Sequence, residues 1–313
     1  MLLEVFLLVL GFVCLVKGAD WFVEGAAAAA GKLGIPQLVI GLTIVAMGTS
    51  MPEAAVSITA ALNGSAAITI GNIVGSNILN ILVILGVTAV ITNVAIQKST
   101  LQYEMPFMIA ITVLLLFFGY TGGSIGFTEG IIFWVLFLAF LGYLFAMSAR
   151  SRKNADDDEE LVDVEEMSVV KCIVFILAGV LLVVKGSDFA VGGAAEIARY
   201  FGISERFIGL TVIAFGTSLP ELVTSVIAAR KGNADIAIGN IVGSNIFNIL
   251  FVAGTTALIC EVPFESKFLF DTGAAVFSGV LLWAGTVRHR ELRRPCGAVL
   301  LLCYAAYFAY LCM

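Results

Sequence analysis

Two polar words, GLTIVAMGTSMPE at Gly41–Glu53 and IGNIVGSNILNIL at Ile70–Leu82, sit inside otherwise apolar runs. Both are spelled again 168 residues later, as GLTVIAFGTSLPE (Gly209–Glu221) and IGNIVGSNIFNIL (Ile238–Leu250). The match extends outward without a gap from Lys17–Leu82 to Lys185–Leu250, with about 38 of 66 positions identical. A self-match of this length is an internal duplication, and it frames every other feature of the chain.

The surroundings of these words are membrane-like. Of the 313 residues, 60% are hydrophobic and 13% charged, against roughly 45–50% and 25% in a soluble domain. Apolar runs of about 20 residues, each long enough to cross a hydrocarbon layer of about 30 Å, recur along the whole length. The spacing predicts helices near 3–31, 37–62, 66–91, 101–119, 125–147, 168–198, 205–230, 234–260, 267–287 and 295–312. The expected fold class is therefore an all-α membrane protein with ten transmembrane helices in two five-helix repeats. Because five is odd, homologous halves must enter the membrane from opposite sides, so the repeats are inverted. The halves are 1–149 and 168–313, joined by an acidic linker at 150–167.

Charge gives the orientation. With both termini outside, the cytoplasmic connections hold about 12 basic residues, among them Lys98, Arg150, Arg230, Lys231, Arg288 and Arg294. The outer side then holds only Arg199, Arg206 and Lys267. The opposite orientation reverses the positive-inside bias. The net charge of -6 comes largely from Asp156–Glu160 with Asp163, Glu165 and Glu166, a solvated tether in the linker. Nucleic-acid binding is excluded, and nothing calls for an obligatory protein partner; the lipid bilayer is the surrounding phase. The start Met1-Leu2-Leu3-Glu4 lacks a basic signal region, so the first helix reads as retained. Six scattered cysteines form no ligand spacing and read as packing residues.

Glu53 and Glu221 fall near the middle of their spans, where an ionised carboxylate costs at least a few kcal/mol without a partner or a wet cavity. Each follows a proline, Pro52 or Pro220, which removes a backbone donor and breaks the helix. Glycines just upstream, Gly48 and Gly216, assist the break, which turns carbonyls of Ala46, Thr49, Ala214 and Thr217 toward a cavity. Helical spacing adds Ser50, Ser57, Ser218 and Ser225, and the next helix aligns Asn72, Ser76 and Asn80 with Asn240, Ser244 and Asn248 as their repeats. The asparagines, with Asn77 and Asn245, can equally serve as glue between helices. Two carboxylates, hydroxyls, amides and bare carbonyls make an all-oxygen cage, the donor set of a hard cation such as Ca²⁺. Soft metals find no Cys or His in these words. Lys17 with Asp20 and Lys185 with Asp188 read as structural i,i+3 pairs, and Glu24, Glu104, Glu129, Glu196 and Asp271 as residues at the wet edge.

The paired words GTSMPE with GNIVGSNILN and GTSLPE with GNIVGSNIFN resemble the two alpha-repeats of the Ca²⁺/cation antiporter superfamily, close to its prokaryotic sodium/calcium exchanger branch. That resemblance covers essentially the whole chain and implies ten helices in two inverted sets of five. It implies Ca²⁺ held by Glu53 and Glu221 with the carbonyls of Thr49 and Thr217. Flanking sodium sites would draw on Ala46, Thr49, Ser50, Glu53 and Ser76 and on Ala214, Thr217, Ser218, Glu221 and Ser244. Asn80 matches the usual amide, whereas some exchangers carry an aspartate where this chain has Asn248. In family terms the first and sixth helices slide over the rest to give alternating access. Ca²⁺ and Na⁺ are then transported ions, with no cofactor. The expected activity is secondary active Ca²⁺/Na⁺ antiport in a plasma or inner membrane. H⁺/Ca²⁺ or K⁺-dependent Na⁺/Ca²⁺ antiport and a passive cation channel are the alternatives. An enzyme is not expected: the lone histidine, His289, lies in a basic loop and no G-x-S-x-G word occurs.

Overall fold

A computed structural model describes residues 2–63, 66–155, 167–202 and 214–311. Helix α1 (Leu2–Leu33) leads into a bent pair, α2 (Gln37–Thr49) and α3 (Met51–Leu62). Then come α4 (Ile68–Ile91), α5 (Thr100–Gly122) and α6 (Phe127–Ala155). The second half runs α7 (Val169–Tyr200), α8 (Ala214–Thr217), α9 (Leu219–Arg230), α10 (Ala234–Ile259), α11 (Ser266–Val287) and α12 (Arg294–Leu311). Among the described residues eight helices are long and apolar enough to cross a membrane, and the α2/α3 pair makes a ninth span if taken as one. The start of the predicted 205–230 helix, the acidic cluster at 156–166 and Cys312 lie outside the described residues.

The expected break is present. Between α2 and α3 the axis turns by 51° at Ser50, two residues before Pro52, which has no N–H to return to the Gly48 carbonyl. In the second half Ser218 interrupts the helix in the same way before Pro220, and the carbonyl that this proline frees, on Gly216, accepts a hydrogen bond from Ser187 Oγ at 2.7 Å. Two π-helical turns, Asn80–Leu85 and Asn248–Ala253, fall at equivalent places in α4 and α10. Such turns carry no marker in the sequence.

Helices α4 and α10 form the centre, with 83% and 94% of their apolar windows buried against 22% for α1 and α7. The latter pair lies on the rim, where Leu2, Phe6, Val9, Val13 and Val16 of α1 are exposed to the lipid phase. Their mutual contact is close because glycine removes side chains from it. A Cβ on Gly11 would stand 2.4 Å from the Ala190 nitrogen, and one on Gly179 would stand 2.6 Å from that of Phe22. Backbones this near gain dispersion contacts that lipid tails cannot supply.

Loop ends are tied by two-residue strands that the helical reading passed over. Strand β1 (Val94–Ala95) pairs antiparallel with β4 (Glu291–Leu292), and β2 (Ser124–Ile125) with β3 (Val262–Pro263). Each tie joins the first half to the second. Acid–phenol clips recur as well. Tyr143 of α6 donates to Glu104 of α5, and Tyr307 of α12 donates to Asp271 of α11 at 2.9 Å. Glu104 is thus buried at 1% exposure, not at a wet edge as its position near the start of a span suggested, because a phenol in the neighbouring helix satisfies one of its oxygens. The expected Lys17–Asp20 pair gives way to one between Lys231 and Asp20 at 2.6 Å, while Lys185 and Asp188 do pair at 3.2 Å.

The glycine contact is open to a direct test. Gly18→Val forces a branched side chain against the Val183 nitrogen, 2.8 Å from its Cβ, and is expected to destabilise the protein by about 1–3 kcal/mol. Gly192→Ala points into open space and is expected to be neutral or slightly stabilising. Thermal unfolding in detergent separates the two.

Candidate cation site

Breaking α2 at Ser50 and the equivalent helix at Ser218 brings two carboxylates into the centre of the protein. Glu53 and Glu221 are each 1% exposed and lie in the first turns of α3 and α9. They are close enough to repel one another, and the Thr217 and Ser218 hydroxyls stand near Glu53 as Thr49, Ser50 and Ser244 stand near Glu221. Ser50 Oγ donates to Glu221 Oε1 at 2.8 Å, so the first half supplies a ligand to the carboxylate of the second. Its equivalent, Ser218 Oγ, has no hydrogen-bond partner.

The glutamates are held from behind by the next helix. Asn72 Nδ2 donates to the Glu53 carbonyl (3.1 Å) and to Ser57 Oγ (2.8 Å). In the same way Asn240 Nδ2 donates to the Glu221 carbonyl (3.4 Å) and to Ser225 Oγ (2.9 Å). Thr49 Oγ1 donates to Asn240 Oδ1 at 3.0 Å, and Ser244 Oγ to the Ala46 carbonyl at 3.4 Å, joining the halves again. These contacts spread the site over α2, α3, α4, α9 and α10, so no single segment contains it.

At the crossing of α4 and α10 the asparagines form a reciprocal set. Asn77 Nδ2 donates to the Asn245 carbonyl and Asn245 Nδ2 to the Asn77 carbonyl, both at 3.3 Å. Asn80 Nδ2 donates to Asn245 Oδ1 (2.9 Å) and Asn248 Nδ2 to Asn77 Oδ1 (3.1 Å). Each bond has a twin with the halves exchanged. Sequence reading left Asn77 and Asn245 among general helix glue; their signal was the repeated GSN word, but that each pairs with the other required the fold.

Once these bonds are made, Glu53 Oε2, Glu221 Oε2, Asn80 Oδ1 and Asn248 Oδ1 remain buried and unpartnered. All four are acceptors, and a buried acceptor without a donor costs about 1–3 kcal/mol. Among the described residues none of the groups set around the two carboxylates is basic. Two acids in this setting need a cation or protons to neutralise them. Among the described residues no three His, Cys, Asp or Glu side chains converge, so any ion here takes much of its shell from hydroxyl, amide and carbonyl oxygen. That is hard-cation chemistry. Of the expected residues, Ala46 and Thr49 lie on α2, Glu53 on α3, Ser76 and Asn80 on α4, Thr217 on α8, Glu221 on α9 and Ser244 and Asn248 on α10, with Ser50 and Ser218 at the two breaks. Thr217 is half-buried, the others buried. Ala214 opens α8 at the edge of the described residues.

The amide set predicts a coupling. Asn77→Leu or Asn245→Leu alone strands a buried partner and is expected to cost about 1–3 kcal/mol. The double variant should cost clearly less than the sum, read as the interaction term of a double-mutant cycle on thermal stability.

Relatives bear on the same residues. The chain is 37% identical over 320 residues to the putative antiporter CaxA of Alkalimonas amylolytica, covering 98% of both chains. It is 32% identical over 350 residues to the sodium/calcium exchanger MaX1 of Methanosarcina acetivorans, covering 97% of both. A solved structure of the sodium-calcium exchanger NCX_Mj, soaked with zero Na⁺ and Ca²⁺, superposes with a TM-score of 0.85 at 30% identity over 99% of each chain. The family model described as sodium/calcium exchanger protein matches twice, at residues 3–146 and 171–313. With a duplicated match, a shared all-helical fold and full-length relatives, this chain is a multi-pass integral membrane transporter of the sodium/calcium exchanger family, not an enzyme.

Proposed function

We propose that the protein exchanges Ca²⁺ for Na⁺ by alternating access to one site shared by Glu53 and Glu221. The observation that carries the reading is a set of four buried, unpartnered acceptor oxygens, two on the carboxylate pair and two on amides, with no basic neighbour among the described residues. Ca²⁺ takes six to eight oxygens at about 2.3–2.6 Å in a forgiving geometry. Glu53 and Glu221 supply the charge to neutralise it, with the carbonyls of Thr49 and Thr217 as further ligands. Na⁺ ions occupy flanking positions built from Ala46, Ser50 and Ser76 in one half and from Ala214, Ser218 and Ser244 in the other, drawing on the same two carboxylates. Because the ions compete for shared negative charge, one must leave before the other is neutralised in its place, and exchange is obligatory without a separate coupling part. Asn80 and Asn248 contribute neutral amide oxygens. Asn248 leaves the centre one carboxylate poorer than exchangers with an aspartate there, which bears on how many ions move per cycle.

The architecture belongs to this proposal. Ten spans in two inverted sets, 1–149 and 168–313, are joined by the tether at 150–167, with both termini on the outer side. Two facts support the assignment of the loops to common sides. The β1/β4 tie joins the loops around Lys98 and Arg288–Arg294, which the charge pattern assigns to one side, and the β2/β3 tie joins loops assigned to the other.

Reconstituted vesicles test the coupling. An imposed Na⁺ gradient is expected to drive ⁴⁵Ca²⁺ flux, and a pH gradient alone is not; the converse result makes the protein an H⁺/Ca²⁺ antiporter, and dependence on K⁺ marks the third variant. Glu53→Gln and Glu221→Gln each remove half the charge and are expected to abolish exchange. Retained flux in both would refute the shared site.

A further inference from the structure

Equivalent positions in the two halves differ by 168, so the fold contains its own internal comparison. A cavity of about 230 Å³ is lined by Pro52, Ser187, Asp188, Val191, Gly216 and Thr217. Thr217 belongs to the candidate site, so this cavity reaches it from outside. The equivalent positions are Pro220, Ala19, Asp20, Val23, Gly48 and Thr49, and there the passage is shut. Val23, Thr49 and Pro220 are buried where Val191, Thr217 and Pro52 are half-buried, and Asp20 is half-buried where Asp188 is exposed; Ala19 and Ser187 are both buried, and Gly48 is half-buried where Gly216 is buried.

Two side chains account for the difference. The Phe22 ring lies over Gly48 with Val180, where a Cβ would meet Val180 Cγ2 at 2.7 Å and Phe22 Cζ at 3.0 Å; over the equivalent Gly216 the smaller Val191 stands, at 2.3 Å from such a Cβ, and the position of Phe22 is Ala190. Lys231, at the end of α9, reaches across to α1. Its Nζ lies 2.6 Å from Asp20 Oδ1, 3.2 Å from the Asp20 carbonyl and 3.7 Å from Glu24 Oε2. On the open side Asn63 stands where Lys231 would be and Gly192 where Glu24 would be, and Asp188 pairs only within its own helix, with Lys185. Because α1 and α7 run antiparallel, with Gly18 against Gly179, Asp20 and Asp188 lie toward opposite ends of the pair.

Resting on the alternating-access reading, we propose that Lys231, Asp20 and Glu24 form a clasp that holds the exchanger shut on the Lys231 side while the cavity beside Asp188 admits ions on the other. Sliding α1 together with α7 across the other helices by a single helical turn, about 5.4 Å, pulls Asp20 out of reach of Lys231 and carries Phe22 off Gly48. The clasp thus biases the equilibrium toward the state in which the Asp188 side is open. At the positions equivalent to Lys231 and Glu24 the other side has Asn63 and Gly192, so this clasp is not repeated there although the halves share their site residues.

Thiol accessibility tests this without any transport. In the full chain with its six cysteines replaced, a cysteine at Val23 is probed from the Lys231 side with a membrane-impermeant maleimide, and one at Val191 from the opposite side. Lys231→Met is expected to raise the labelling rate at Val23→Cys about fivefold, the scale of one lost, partly exposed ion pair. Labelling at Val191→Cys should stay level or fall. Asp20→Asn combined with Glu24→Gln should reproduce the effect from the other partner, and Lys231→Arg should behave like the parent. An unchanged rate at Val23→Cys, a rise at both positions, or a response to Lys231→Met that the acid variants do not share overturns the clasp. Since labelling needs no ion gradient, failure here leaves the flux reading standing, and failed flux leaves this one.

Discussion

Two carboxylates enclosed in a low-dielectric interior, with hydroxyls and amides but no base among the described residues beside them, form the constraint around which this protein is built. Such a pair is unstable empty and stable when a cation or protons neutralise it. Everything that holds Glu53 and Glu221 at 1% exposure, from the proline breaks to the Asn72 and Asn240 clamps, works against their mutual repulsion and their lost hydration. Structural strain and ion affinity therefore have one origin.

The scaffold meets this demand through duplication. A single half could offer one glutamate and an incomplete shell. Ser50 reaching to Glu221, Thr49 to Asn240 and Asn77 exchanging amide bonds with Asn245 complete it only when the second half is in place. Around that polar centre the apolar helices α4 and α10 are enclosed, while the rim pair α1 and α7 meets through backbone-to-backbone contact at glycines. Lacking interlocking side chains at those glycines, the rim pair is suited to move as a unit against a fixed centre.

Duplication also makes departures from symmetry informative. Phe22 against Ala190, Lys231 against Asn63 and Ser187 against Ala19 are small sequence differences at equivalent places. Each falls on the path between solvent and site, and together they coincide with one open and one closed approach. The residues of the candidate cation site are by contrast the same in both halves.

Much of this was legible from the order of amino acids. Periodic apolar runs, the 168-residue self-match and a glutamate after a proline within each copy follow from rules of membrane solvation and helix geometry that act locally, so they identified an all-helical membrane protein, its broken helices and the oxygen-rich site. The π turns at Asn80 and Asn248, the β1/β4 and β2/β3 ties, the burial of Glu104 under Tyr143 and the transfer of Asp20 from Lys17 to Lys231 were not legible. Each depends on which distant backbone comes within hydrogen-bonding reach. An acid three residues from a lysine has an obvious partner in the sequence, yet the better placed one lies 211 positions away and becomes available only when α9 packs on α1. Local chemistry fixes which groups need partners; the packed fold alone decides which partners they receive.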